Sequence, residues 1–299
     1  MKKFAVIDLG TNTFHLLIVT TNTEGSFTEL YRERKFIKLG ENGVERIGNA
    51  PYLRGINALS SFKKVLDKYA VDDVRVFGTA ALRTASNGQQ FVNEIKEKTN
   101  LDITLISGDE EARLIYLGVR QAVPFNSDTG MIMDIGGGSV EFIIADKNEI
   151  FWAQSFPIGV SVLRNEFHKE EPIAKNEIEN IKEHLDNTLQ PLKNILKDYQ
   201  VNNLIGASGT FDVLELMLVQ EKLSEVHSEV KTADFEPLYQ EFLQTTLEER
   251  LQMPNLPNDR ADMIIVALVL IEYILKLAKI KKITVSAYAM KEGMLSEMS

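Results

Sequence analysis

One segment of this chain occurs twice, and that duplication limits the fold more than any other feature. Residues 4–20 read FAVIDLGTNTFHLLIVT, and residues 131–145 read MIMDIGGGSVEFIIA. Aligned without a gap, Asp8 falls on Asp134, Gly10 on Gly136 and Thr13 on Ser139. Each copy is an apolar run, an aspartate, a small-residue turn bearing hydroxyls and a second apolar run. That is the pattern of two strands joined by a tight loop. Copies set 126 residues apart predict a duplicated domain rather than a short solenoid repeat.

The segments after each copy also come in a similar order. After the first, the pattern predicts a third strand (27–39), a helix (52–69), a strand (74–77), a helix (88–98), a strand (103–107) and an amphipathic helix (109–119). After the second it predicts a strand (150–156), helices within 174–199, a strand (203–206), more helices, a strand (282–286) and a last helix (289–297). Three strands and then alternating helix and strand, twice over, predict two α/β domains. The loop-like stretch PFNSD at 124–128 marks the boundary. The expected domains are therefore 1–124 and 125–288, with the helix at 289–299 able to return to the first. A chain of 299 residues is long enough for each domain to bury its own core.

Composition narrows the class. With 44% apolar and 25% charged residues the chain reads as an ordinary soluble globular protein. It has no cysteine, which excludes disulfides, thiolate metal sites and cysteine nucleophiles, and fits a reducing compartment. The first apolar run breaks at Asp8, too early for a signal-peptide core. The most apolar later run, 263–271, stops at Glu272 and is too short to cross a bilayer. The expectation is a cytoplasmic chain without a membrane span. A net charge of −10 argues against a general nucleic-acid binder. For a polyanionic ligand, local positive potential and a divalent cation would have to outweigh that charge.

The loops suit phosphate. Glycine turns let backbone N–H groups approach an anion unobstructed. Gly136, Gly137 and Gly138 provide this, with the Ser139 hydroxyl beside them, and Gly10, Thr11, Asn12 and Thr13 occupy the same place in the first copy. A third candidate loop contributes Ser208, Gly209 and Thr210 between an apolar strand and a helix expected from Phe211. No G-x-G-x-x-G opens a helix after the first strand, and no G-x-x-x-x-G-K-[ST] is present, so neither standard nucleotide motif applies. Asp134 and Glu141 suit a hard cation such as Mg²⁺ that also contacts a phosphate. Asp8 is a third candidate, as direct ligand, water-mediated ligand or loop cap. His15, His168, His184 and His227 show no metal-ligand spacing. The basic stretches Arg32, Arg34, Lys35, Lys38 and Lys279, Lys281, Lys282 read as solvated faces, with guidance of a polyanion tail as the alternative.

With these segments in view, the chain resembles the exopolyphosphatase/guanosine pentaphosphate phosphohydrolase family. The matching blocks are IDLGTNTFHLL (7–17), GTAALRTASN (78–87), ISGDEEARLIYLGV (106–119), MDIGGGSVEF (133–142), PIGV (157–160), GASGT (206–210) and RAD (260–262), all in family order. The resemblance implies an α/β fold of two ribonuclease-H-like domains facing across a cleft, as in the actin, sugar kinase and heat-shock chaperone superfamily. It implies Glu111 as the catalytic base, Arg83 as a phosphate clamp, and Asp134 and Glu141 at a metal, Mg²⁺ with Mn²⁺ as the alternative. The adjacent Glu110 competes for the base role, and pattern alone does not choose between the two. Lys291 stands where the family pattern has arginine, which turns any bidentate clamp there into a point charge. Longer members carry a further helical domain, so this chain is not expected to handle long polymers processively.

The expected activity is release of terminal orthophosphate from inorganic polyphosphate by Mg²⁺-assisted water attack. Within the same family guanosine pentaphosphate is the alternative substrate. A polyphosphate-dependent phosphotransferase and a non-catalytic ligand sensor remain open, since one fold hosts several functions. A homodimer is compatible with the sequence.

Overall fold

The computed structural model describes residues 1–21, 27–125, 129–222 and 224–298. Asn126, Ser127 and Asp128, part of the loop expected between the domains, lie outside them. The chain divides into two compact units, Met1–Gly118 with Met290–Ser299 and Val119–Ala289.

The first unit opens with β1 (Lys3–Leu9), β2 (Thr13–Thr21) and β3 (Phe27–Phe36), then α1 (Asn49–Tyr69), β4 (Asp73–Gly78), α2 (Ala80–Thr84), α3 (Gly88–Thr99), β5 (Ile103–Leu105) and α4 (Gly108–Ala122). The division between the units falls inside α4. The sheet runs β3-β2-β1-β4-β5. β1, β2 and β3 pair antiparallel, while β4 and β5 continue from β1 in parallel. Nearly continuous apolar runs in β1 and β2 fit strands covered on both faces. The core is built around Ile7, Leu9, Phe14, Leu59, Phe62 and Phe91. At the edge, β3 carries Glu29, Arg32, Glu33 and Lys35, charges that discourage pairing with another strand. Two ion pairs, Arg32–Glu29 at 2.8 Å and Lys35–Glu33 at 3.5 Å, use much of that basic stretch.

The second unit has β6 (Gly130–Ile135), β7 (Val140–Ala145), β8 (Ile150–Phe156), α5 (Val160–Phe167), α6 (Lys175–Thr188), α7 (Gln190–Ile195), β9 (Asn203–Ala207), α8 (Gly209–Leu218), β10 (His227–Lys231), α9 (Thr232–Phe242), α10 (Leu247–Arg250), α11 (Ile264–Leu277) and β11 (Lys282–Ser286). Its sheet runs β10-β11-β9-β6-β7-β8. Read from β8, the first five strands repeat the order and directions of the first unit, and both are ribonuclease-H-like sheets. β10 is an addition, antiparallel to β11 at the edge. α11 is apolar almost all round and accordingly buried. Among the described residues no helix is long and apolar enough to cross a membrane.

The last helix, α12 (Met290–Ser296), belongs to the first unit and packs on β1. It also meets α4 closely. A Cβ at Gly293 would lie 1.9 Å from the Leu114 carbonyl oxygen, so only glycine permits this approach. Glu297 adds an ion pair to Arg113 Nη1 at 2.7 Å.

Candidate active site

The two Asp-bearing turns close with the same hydrogen bond. Gly10 N–H donates to Thr13 O at 3.1 Å, and Gly136 N–H donates to Ser139 O at 3.0 Å. In both turns the carbonyls are then claimed by the unit's own backbone. Ile37 and Lys38 N–H donate to Asn12 O and Leu39 N–H to Thr11 O. In the second unit, Val160 N–H donates to Gly136 O at 3.0 Å and Ser161 N–H to Gly137 O at 2.9 Å, both from the start of α5. The amides of Thr11, Gly137 and Gly138 make no hydrogen bond to the described residues. Carbonyls turned inward with amides left over form an anion-binding concavity. Thr13 Oγ1 is buried with no partner among the described residues. Such an orphan costs about 1–3 kcal/mol unless something else supplies the bond, and a phosphate oxygen would.

The third loop is different in detail. α8 begins at Gly209, earlier than the start expected from Phe211. Ser208 adopts φ 68° at its N-cap, and its hydroxyl donates to Ile135 O at 3.1 Å instead of capping the helix. The Ser208 side chain thus ties β9 to β6, and the loop presents to an anion the helix N-terminus at Gly209 and Thr210. A cation stands there. A Cβ at Gly209 would lie 2.1 Å from Arg260 Nη2, so the guanidinium rests directly on this backbone. The RAD block is legible in the sequence, but nothing there gives Arg260 a role. Its basic type and a glycine loop are the two signals, and only the fold brings them together.

The carboxylates Asp134 and Glu141 are direct partners across β6 and β7, and Glu141 faces Ser155 on β8. Ser155 Oγ donates to Glu141 Oε1 at 2.6 Å. Both acids are buried, Glu141 at 1% exposure. Like charges directly opposed across a sheet destabilise it, and a cation between them would relieve that. The oxygen donors fit a hard metal, and Mg²⁺ is commonly held by one or two carboxylates with phosphate and water completing its shell. No three His, Asp or Glu side chains gather into a metal cage among the described residues. The matching row of the first unit reads Asp8, His15, Arg34. There the row places basic residues beside the carboxylate.

Arg83 and Glu111 do meet. Arg83, near the end of the short α2, donates from Nη1 to Ile106 O at 2.7 Å and lies 3.3 Å from Glu111 Oε2. Its Nε and Nη2 make no hydrogen bond to the described residues. Glu111 is 8% exposed in the first turn of α4. Glu110 turns elsewhere, into a two-pronged pair with Arg113 at 2.8 Å on both oxygens. The Arg113 hydrogen bonds hold the Glu110 carboxyl below its usual pKa, which makes it a poorer proton acceptor. Lys291 Nζ lies 3.3 Å from Glu292 Oε2 and is engaged by its neighbour.

Comparison with known proteins adds relatives. The family model described as Ppx/GppA phosphatase family matches residues 18–299. The chain is 40% identical to a crystallised exopolyphosphatase from Cytophaga hutchinsonii, covering 99% of this chain and 97% of that one with a TM-score of 0.95. A crystal structure of the Aquifex aeolicus Ppx/GppA family member shares the fold at 24% identity, covering 99% and 97% with a TM-score of 0.81. Among curated proteins, a guanosine-5'-triphosphate,3'-diphosphate pyrophosphatase of Photobacterium profundum is 28% identical over 99% of this chain. This chain spans only 59% of that relative's length.

Proposed function

The chain belongs to the Ppx/GppA phosphatase family, and from that membership we propose that it hydrolyses a terminal phosphoanhydride bond, releasing orthophosphate from inorganic polyphosphate. The observation that carries this reading is the Arg83–Glu111 pair at 3.3 Å. Phosphoanhydride hydrolysis needs an oriented water, neutralised charge on the transferred phosphoryl group and a stabilised leaving phosphate. Glu111 accepts the proton of the attacking water, with Arg83 Nη1 fixing the orientation of its carboxylate. The other guanidinium nitrogens of Arg83 are left for a phosphoryl oxygen, where a planar fork binds best. Within the first unit the Thr11 amide and the Thr13 hydroxyl are further donors suited to phosphate oxygens; within the second unit the amides of Gly137 and Gly138 and the Arg260 guanidinium at Gly209 are suited to the same ligand chemistry. Asp134 and Glu141 would hold Mg²⁺, with Mn²⁺ as substitute, and a cation bound there would supply neutralisation of negative charge.

Guanosine pentaphosphate is the second reading. Three curated relatives carry the guanosine-5'-triphosphate,3'-diphosphate pyrophosphatase name at 28–29% identity. The test is Mg²⁺-dependent phosphate release from short polyphosphate, long polyphosphate, guanosine pentaphosphate and ATP, with ADP added in a parallel series. Glu111→Gln should lower turnover by about 10²–10⁴-fold while polyphosphate still binds. The substrate order then selects between the two readings. ATP made from polyphosphate plus ADP would replace hydrolysis by transfer, and binding without turnover would leave a sensor.

A further inference from the structure

The second unit buries an arginine completely. Arg250 is 0% exposed and is the largest fully buried side chain among the described residues. It ends the four-residue α10, which is held by a capping box between Thr246 and Glu249. Its Nε donates to Ala261 O at 2.7 Å, Nη1 to Thr245 O at 2.8 Å and Nη2 to Glu171 Oε1 at 2.9 Å. A buried ion pair of this kind seldom stabilises more than an apolar group of the same size would. Its presence therefore calls for a reason other than bulk stability.

The bonding pattern supplies one. Ala261 is the residue after Arg260, and the next carbonyl, that of Asp262, accepts from Arg164 Nε at 3.1 Å. Arg164 in turn lies 4.0 Å from the same Glu171 Oε1 that Arg250 holds. Two arginines joined through one carboxylate thus grip two consecutive peptide carbonyls just past Arg260. Arg164 also belongs to α5, the helix whose first amides hold the carbonyls of Gly136 and Gly137. The grip is therefore rigidly related to the glycine turn at one end and to the guanidinium lying on Gly209 at the other.

We propose that Arg250, with Glu171 and Arg164, is a positioning residue for phosphate binding: it sets where the Arg260 guanidinium sits against the Gly209 N-terminus of α8. Arg250 touches no substrate itself. This rests on the reading of Arg260 as a phosphate donor, so the test is built to separate the two. Binding of inorganic tripolyphosphate is measured by calorimetry for the native chain, Arg260→Ala, Arg250→Met and the double variant, beside kcat and KM for phosphate release. Arg260→Ala should weaken binding by about tenfold, the typical scale for losing a charge-assisted contact. Arg250→Met should weaken it comparably, raise KM more than it lowers kcat, and add nothing in the double variant, because residues acting through one group are not additive. Arg250→Lys should recover part of the loss.

Should Arg250→Met fail to fold, the half-buried Arg164→Met carries the same cycle with Arg260→Ala. Native-like binding in Arg250→Met, or a loss that multiplies with that of Arg260→Ala, overturns the proposal. Unchanged binding in Arg260→Ala alone would instead overturn the reading of Arg260, whatever Arg250 does.

Discussion

At the scale of single residues, the neighbouring glutamates show how a fold resolves what a pattern leaves open. In the sequence Glu110 and Glu111 are equivalent carboxylates. In the first unit one is spent on Arg113 and the other meets Arg83. Glu110→Gln should accordingly keep phosphate release within a few-fold of native and lower stability by about 0–1 kcal/mol, as for exposed pairs; loss of turnover matching Glu111→Gln would reverse the assignment. His168 illustrates the opposite limit, a residue without a signal in the sequence. It is 0% exposed, with Glu171 Oε1 3.4 Å from Nε2. Burial lowers its pKa below the ordinary 6.5, and the charges of Arg164 and Arg250 add to this, while Glu171 and Glu177 oppose it. The unfolded chain then takes up a proton that the folded chain refuses. Stability is full above pH 6.5 and falls as pH drops below it, until the depressed folded value is reached. Melting temperatures from pH 7.5 to 5.5 should fall more steeply for the native chain than for His168→Phe. Parallel curves would remove His168 as the source.

Elements are legible in proportion to how local their causes are. The Asp-bearing hairpins stand out because each is closed by a bond between residues three apart, Gly10 to Thr13 and Gly136 to Ser139. β10 is not visible in the sequence, since HSEVK is a short, half-polar edge strand that pairs, among the described residues, with β11 alone. The five-residue α2 is likewise hidden, although it carries Arg83. The rows of side chains across strands cannot be read without register, and they separate the two aspartates. Glu141→Gln should raise the Mg²⁺ concentration for half-maximal phosphate release at least tenfold, whereas Asp8→Asn, opposite His15, should move it far less. A Mg²⁺ titration of both variants decides this, and equal shifts would restore Asp8 as a ligand. Helix α4 offers another check. Gly293→Val drives a side chain into the Leu114 carbonyl, costing about 1–3 kcal/mol or more. Because Glu111 lies one turn from Leu114, kcat should fall while tripolyphosphate affinity holds; an unchanged kcat would mean α4 does not need this support.

On the scale of the whole molecule, duplication has kept the sheet and changed what the sheet presents. The order β3-β2-β1-β4-β5 recurs as β8-β7-β6-β9-β11, yet one row answers its aspartate with histidine and arginine and the other with a second acid. The two copies therefore differ in the charge of the row that faces each aspartate. With an overall charge of −10, any polyanion would approach against the mean field of the protein. The return of α12 to the first unit has a temporal meaning as well. A ribosome delivers the residues of β1 through α4 first, then the entire second unit, and only afterwards the helix that braces α4. The half bearing Glu111 therefore waits, incomplete, through the synthesis of its neighbour. A chain stopped after Ala289 should show fast amide exchange in α4 with α11 still protected, and the native pattern in α4 would refute this order. The contact of α12 with the helix that carries Glu111 thus forms only after the second unit has been made.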